Sequence, residues 1–307
     1  SIPGAYTVFR VELFKGKSHF GENVTFDETL PTNYLADEVI DDNKVNELLA
    51  KKYNETIVIA EDDSEILAYL KDELSTNFRV IAVNNGYDAV KAVMDDEVSL
   101  ILSDVLMPAL NGFQLCSNIK SNIATCHIPI VLLTALSDDN QRIYGIAEGA
   151  DEYFHKPFNM QYVRLKIIRI IEERKRLAST FAQKFGRLTR HEAANLPCVD
   201  DVFRDKLFNL IEAQHSDSNF KIELMSDMLG MSRILLYRKI TSIFGMSPSD
   251  LLRNYRLQKA VQLLTDQRRN VSEVAYIVGF SSPAYFAKCF KSVYNMTPTE
   301  YMYRTRE

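Results

Sequence analysis

Six side chains fix the chemistry that the first part of this chain could perform. Glu61, Asp62 and Asp63 follow one short apolar run, Asp104 follows another, Thr134 a third, and Lys156, just ahead of Pro157, a fourth. Carboxylates delivered to one place from separate segments repel one another unless a hard divalent cation lies between them. Mg²⁺ is the ion that takes a few carboxylates and keeps several waters. With the charge screened, one carboxylate can attack phosphorus and carry an aspartyl phosphate, while a hydroxyl and an ammonium bind the phosphoryl oxygens. The bland alternative is a surface acidic cluster with one capping Asp. His155 stands beside the lysine on a loop and reads as a bystander rather than a phosphate carrier.

Those residues need elements that bring them together. Short β-rich runs at Thr56–Ala60, Arg79–Val83, Leu100–Ser103, Ile130–Leu133 and Glu152–Phe154 alternate with helical patterns. Such alternation argues a parallel sheet with right-handed crossovers, a doubly wound five-stranded α/β domain. Ligands in open sheets of this kind bind beyond the carboxyl ends of the strands, where all six polar residues fall. From Gln161 to Phe185 the pattern is helical and heavily charged, as in a last helix running into a linker.

A second set of residues could read DNA. Residues 225–232 align with residues 274–281, with Gly230 and Gly279 in register. Each copy runs apolar, small, two variable, apolar, Gly, apolar, Ser. The small residue lets two helices cross closely, Gly takes the turn and Ser caps the next helix, which makes a helix-turn-helix present twice in an all-helical region. The helix from Ser232 to Ile243 buries Leu236, Ile240 and Ile243 and leaves Arg233, Ile234, Tyr237 and Arg238 on its open face. The helix from Ser282 to Val293 buries Phe286 and Phe290 and leaves Pro283, Ala284, Ala287, Lys288 and Lys291 open, with Ser282 at its start. A helix from Ser249 to Leu264 joins the two as a strut of about 24 Å, enough to set two recognition helices about one DNA turn apart. Tyr276, Tyr285 and Tyr294 read as packing residues rather than a stacking platform for single strands.

Glu61-Asp62, Asp104 within Ser-Asp-Val-Leu-Met-Pro, Thr134 within Leu-Leu-Thr-Ala, and the Tyr153 to Phe158 run resemble the receiver domain of two-component response regulators, a flavodoxin-like fold. The resemblance implies that Asp104 accepts phosphate from a phosphohistidine and that Glu61 and Asp62 hold Mg²⁺ together with Asp104 and the Leu106 carbonyl. It further implies that Lys156 contacts the phosphoryl group and that Thr134 and Tyr153 form a switch pair. Residues 230–239, 246–253 and 279–291 resemble the AraC/XylS family of DNA-binding domains, with Lys288 where Arg is common and Ile277 in place of a usual polar residue. That resemblance implies double-stranded DNA as partner, contacted by Arg233, Ile234, Tyr237, Arg238, Ser282, Pro283, Ala284, Ala287 and Lys288. Gly4 to Leu13 resembles the last strand of a histidine kinase ATP-binding domain. The order of parts resembles the carboxyl-terminal portion of hybrid two-component systems, which commonly control carbohydrate-utilisation genes. The resemblance thus implies a phosphodonor kinase in the same parent chain, itself anchored in the inner membrane, and a cytoplasmic segment that pairs into a homodimer when phosphorylated.

The chain of 307 residues divides, on this reading, into a kinase fragment at 1–17, a linker at 18–54, a receiver at 55–175, a linker at 176–198 and a DNA-binding domain at 199–307. Its opening residues Ser-Ile-Pro-Gly suggest a start inside a larger protein. Composition is that of a globular protein, 46% hydrophobic and 25% charged, and no apolar run approaches the roughly 20 residues that span a bilayer. Charge separates sharply. Residues 1–160 hold 12 Lys+Arg against 26 Asp+Glu, a net of −14, and residues 161–307 hold 24 against 15, a net of +9. An acidic front tied to a basic back fits a regulatory half tethered to a half that meets nucleic acid. The four cysteines are scattered, with no pair or His at metal-ligand spacing, and read as reduced thiols. We expect no enzyme in this segment. A haloacid-dehalogenase-like phosphatase needs a second Asp two residues after its nucleophile, where this chain has Leu106. A protein-interaction output without DNA is the other alternative.

Overall fold

The computed structural model describes residues 42–135, 149–185, 200–265 and 269–304. The strand expected within residues 1–17 and Cys198 lie outside them. The chain divides into two compact units, Ser1–Lys44 and Val45–Glu307, and every contact below lies within the second.

Five parallel strands, β1 (Thr56–Ala60), β2 (Arg79–Val83), β3 (Leu100–Asp104), β4 (Ile130–Thr134) and β5 (Glu152–His155), form one sheet in the order β2-β1-β3-β4-β5. Strands β1, β3 and β4 are buried along their whole length, as parallel strands covered on both faces must be, which is why their sequences are almost unbroken apolar runs. Alternate residues feed two cores. Ile57, Ile59, Leu102 and Leu133 pack with Leu70 and Leu74 of α2 (Ser64–Ser75) and with Ile167 and Ile171 of α5 (Met160–Phe185). Val58, Ala60, Ile101 and Leu132 pack with Ala89 and Val93 of α3 (Gly86–Asp95) and with Leu115 and Ile119 of α4 (Gly112–Ser121). The five expected strands match to within one residue at each end.

The linker boundaries do not hold. Within residues 18–54, α1 (Asp42–Ala50) is helical, and Tyr53 is buried, stacked on Phe78 at 5.2 Å between ring centroids and donating to Glu172 at 3.0 Å. At the other boundary α5 continues unbroken for 26 residues, through the first part of the expected 176–198 linker. Its apolar stripe explains this: Ile167 and Ile171 serve the sheet, whereas Phe181 and Phe185, stacked at 5.1 Å, are buried in the core of the helical half. One helix thus belongs to two cores.

That helical half contains α6 (Asp201–Gln214), α7 (Ile222–Met228), α8 (Arg233–Phe244), α9 (Pro248–Thr265), α10 (Val271–Ile277), α11 (Pro283–Tyr294) and α12 (Pro298–Arg304). The internal repeat appears as α7-turn-α8 and α10-turn-α11. Both turn glycines are left-handed, Gly230 at φ 66° and Gly279 at φ 90°, a conformation that side chains with a Cβ rarely adopt. Ser232 accepts from the Leu235 N–H and Ser282 from the Tyr285 N–H, capping the two second helices. The strut α9 is 18 residues long and joins two cores, giving Leu251, Leu252 and Tyr255 to the first motif and Leu257, Ala260 and Leu264 to the second.

Candidate functional site

The carboxylates of Glu61, Asp62 and Asp104 converge beyond the carboxyl ends of β1 and β3, with an oxygen from each lying within 4.8 Å of the others. Asp63, next in line, is turned away: its Oδ1 accepts from the Glu65 and Ile66 N–H groups as the N-cap of α2. Glu61 and Asp104 are buried, whereas Asp62 opens to solvent. Lys156 Nζ bridges the two buried acids, 2.8 Å from Glu61 Oε2 and 3.2 Å from Asp104 Oδ2. The other Asp104 oxygen accepts from the Val105 N–H at 2.8 Å. Burial pushes the Glu61 carboxyl above its ordinary value in spite of the Lys156 hydrogen bond. Burial also works against the Lys156 ammonium, but the Glu61 hydrogen bond and the Asp104 charge outweigh it and hold the lysine above its ordinary value. Gly112 is required here, because a Cβ on it would stand 2.3 Å from the Asp104 carbonyl oxygen.

Register places the remaining members. Thr134, buried at the end of β4, lies opposite His155 of β5, and its carbonyl accepts from the Lys156 N–H at 2.7 Å. Tyr153 is half-buried against the core beneath α3 and α4. His155 is exposed, and Leu106 on the loop after β3 is 55% exposed. Three carboxylates with one solvent-facing member form an all-oxygen donor set that suits a hard cation such as Mg²⁺.

In the helical half, α11 exposes Ala284, Tyr285, Lys288 and Lys291, with Ser282, Pro283 and Ala287 half-buried beside them and Phe286 and Phe290 in the core. Tyr276 and Tyr285 are 58% and 52% exposed, against the packing expected of them, although Tyr285 touches the Phe280 ring at 6.1 Å between centroids; Tyr294 packs 4.6 Å from the Phe290 ring. On α8, Arg233, Ile234 and Tyr237 are exposed, with Arg233 paired to Glu223 at 3.0 Å.

Arg238 departs from the expected open face. Its Nη1 donates to the carbonyls of Asp96 at 2.9 Å and Met94 at 3.1 Å, and its Nη2 donates to that of Asp95 at 2.7 Å. These are the carbonyls at the carboxyl end of α3, because the flank of α8 lies against the α/β half. Its neighbour Lys239, which periodicity did not single out, is fully buried. It donates to Asp200 Oδ2 at 2.6 Å, to Cys126 Sγ at 3.2 Å and to the Ile123 carbonyl, with its ammonium 4.5 Å from the Phe203 ring centroid. Burial raises the Asp200 carboxyl, but hydrogen bonds from Cys126 and Lys239 prevail and hold it below the usual carboxylate value. A lysine three residues after Leu236 and next to Ile240, at the edge of the apolar stripe, was the available signal.

Two known domain families match this chain. The response regulator receiver domain family matches residues 57–168, and the helix-turn-helix domain family matches residues 225–304. Histidine kinase P4 of Formosa agariphila is 35% identical over 98% of this chain and 22% of its own length. Transcriptional regulatory protein GltR of Pseudomonas aeruginosa is 38% identical over 36% of this chain and 47% of its own. This chain therefore spans less than half the length of either relative. The solved signal receiver domain of a signal transduction histidine kinase from Syntrophus aciditrophicus is 32% identical, covering 39% of this chain and 91% of that one with a TM-score of 0.37.

Proposed function

Because this chain carries a response regulator receiver domain followed by a helix-turn-helix domain of the AraC type, we propose that a phosphoryl group on Asp104 controls sequence-specific binding of double-stranded DNA by α8 and α11. The observation that carries the reading is the bridge that Lys156 makes between the buried acids Asp104 and Glu61, in the same polypeptide as a duplicated helix-turn-helix.

Glu61, Asp62 and Asp104, with the Leu106 carbonyl, would hold Mg²⁺, which when bound screens the negative charge that meets an incoming phosphoryl group. The Asp104 carboxylate then forms the O–P bond as the P–N bond of a phosphohistidine breaks and the imidazole leaves. Lys156, already in contact with Asp104, is placed to exchange that contact for a phosphoryl oxygen. Thr134 supplies a hydroxyl from the adjoining strand end, and Tyr153 responds as its switch partner. On α8, Arg233, Ile234, Tyr237 and Arg238 read one subsite. On α11, Ser282, Pro283, Ala284, Ala287 and Lys288 read the next, about one turn of duplex away.

The likeness to a histidine kinase along nearly the whole chain supports a phosphodonor kinase in the same parent protein, and carbohydrate-utilisation genes are the target class we propose with it. No described helix is long and apolar enough to cross a membrane. Pairing of phosphorylated receivers would place two helix-turn-helix domains on one operator and raise apparent affinity through effective concentration. Labelling by a phosphorylated histidine kinase or acetyl phosphate tests the premise. Phosphate incorporation should require Mg²⁺ and vanish in Asp104→Asn, and undiminished labelling of that variant would refute it.

A further inference from the structure

Helix α8 has three faces. Leu236, Ile240 and Ile243 enter the core of its own domain, Arg233, Ile234 and Tyr237 point outward, and Leu235, Arg238, Lys239 and Ser242 form a flank that meets the receiver. The receiver surface on the other side is the carboxyl end of α3 together with the segments that lead into β3 and β4. The last carbonyls of a helix have no partner within it, and the partial negative charge gathered there favours a cation. Arg238 caps three of them in succession, Met94, Asp95 and Asp96, with a fork that a lysine could not reproduce. Lys239 and Asp200 add a second tie, to Ile123 and Cys126 of the receiver. Ala124 is the receiver residue buried among Phe181, Leu236 and Ile240 in the shared apolar cluster.

We propose that the receiver masks the first recognition helix, and that Arg238 is an exchange residue that either caps α3 or reads DNA. This rests on the reading of α8 as a DNA-reading helix. Held at the end of α3 by three carbonyls through both Nη atoms, the guanidinium cannot at the same time lie in a groove and turn its fork to a guanine edge or a phosphate, so the two uses exclude each other. The seam can part. It mixes apolar residues such as Val98, Ala124 and Leu235 with polar ones such as Glu97, His127 and Arg238, and the two sides leave a cavity of about 40 Å³ between them. The docked surface lies at the amino ends of β3 and β4, opposite the Asp104 rim, so a phosphoryl group cannot reach it directly. Helix α5 spans that distance: it starts just beyond Lys156 and ends inside the helical core, where the Ala178 carbonyl would stand 2.7 Å from a Cβ at Gly245, the C-cap of α8. Movement of α5 would draw α8 off α3 and leave α11 undisturbed.

The test uses the whole unphosphorylated chain and a duplex enriched from a random-sequence pool, with a scrambled duplex of equal length as reference. Ala124→Glu places a carboxylate in the shared apolar cluster, and Glu97→Lys places a cation on an exposed receiver position beside Arg238. The second change leaves both cores intact should the first not fold. Each should raise the preference for the enriched duplex about tenfold, as expected when a masked form dominates by that factor. Arg238→Ala should then cost more affinity in the Glu97→Lys background than in the wild type, where it removes the dock and the base contact together. Folded variants with unchanged preference, or an equal cost of Arg238→Ala in both backgrounds, would overturn masking. Loss of all selectivity in every form, wild type included, would instead refute the DNA reading on which masking rests.

Discussion

The two second helices, α8 and α11, follow the same local instructions and end in different surroundings. Each starts at a serine cap after a left-handed glycine, buries a stripe at helical spacing, and is 12 residues long. On α11 the basic residues Lys288 and Lys291 are exposed. On α8 the consecutive cations Arg238 and Lys239 are taken up by the receiver and the segment that joins it to α6. The difference teaches that a helix-turn-helix repeat specifies its own core and turn, whereas the availability of its cations is decided by what packs on the flank. Two copies of one motif can thereby differ in readiness while sharing a fold.

The largest way to sharpen this contrast is to compare one lysine from each helix. Lys239→Met removes the cation paired with the mostly buried Asp200 and leaves its carboxylate to the Cys126 and Phe203 hydrogen bonds, so it should lower the unfolding free energy by about 3 kcal/mol. Lys288→Ala, on an exposed position, should change it by less than about 0.5 kcal/mol. Urea melts of the two variants would show the gap, and equal costs would mean that Lys239 is not the tie it is in this structure. Next comes DNA affinity in the unphosphorylated chain. Lys288→Ala should cost about 1–2 kcal/mol at the α11 subsite, and Arg238→Ala should cost less at the α8 subsite, because its guanidinium is already engaged. Operator variants scanned by mobility shift would separate the two, and a larger loss for Arg238→Ala would reverse the contrast.

The smallest effect is on pH. His127 sits at the seam, and its imidazole is held well below the ordinary value of 6.5, first by burial and then by the charges of Lys239, Arg174 and Lys120, which the Asp200 carboxylate only partly offsets. Its carbonyl also accepts from Arg174. Above about pH 6.5 the folded and unfolded forms are both neutral at this position and stability is flat with respect to it. As pH falls below that value the unfolded chain takes up a proton that the folded chain refuses, so stability declines until the folded-state value is reached. Melts at pH 7.5 and 5.5 should show a decline that is smaller in His127→Gln, and an identical decline in the variant would remove His127 from the account.

How much of this could be read in advance depended on whether a residue's role was set by its own element. Strands β1, β3 and β4 were legible because burial on both faces forces unbroken apolar runs, and the acids that end those runs marked the rim. The α9 strut and both turns were legible from the repeat. The length of α5 was legible to Phe185 from its charged helical pattern, but its double role was not, because a stripe that passes from Ile171 to Ala178, Phe181 and Phe185 does not say that a second core receives it. Arg238 was misplaced for a related reason. Helical periodicity tells which side chains face away from their own core, but says nothing of a second domain on that side.

The most direct measurement of phosphorylation-controlled DNA binding is the affinity of the whole chain for its enriched duplex, with and without acetyl phosphate and Mg²⁺, in parallel with Asp104→Asn. The account predicts tighter binding on phosphorylation in the wild type and no change in Asp104→Asn. Equal affinity of phosphorylated and unphosphorylated wild type, with labelling of Asp104 verified in the same sample, would contradict it.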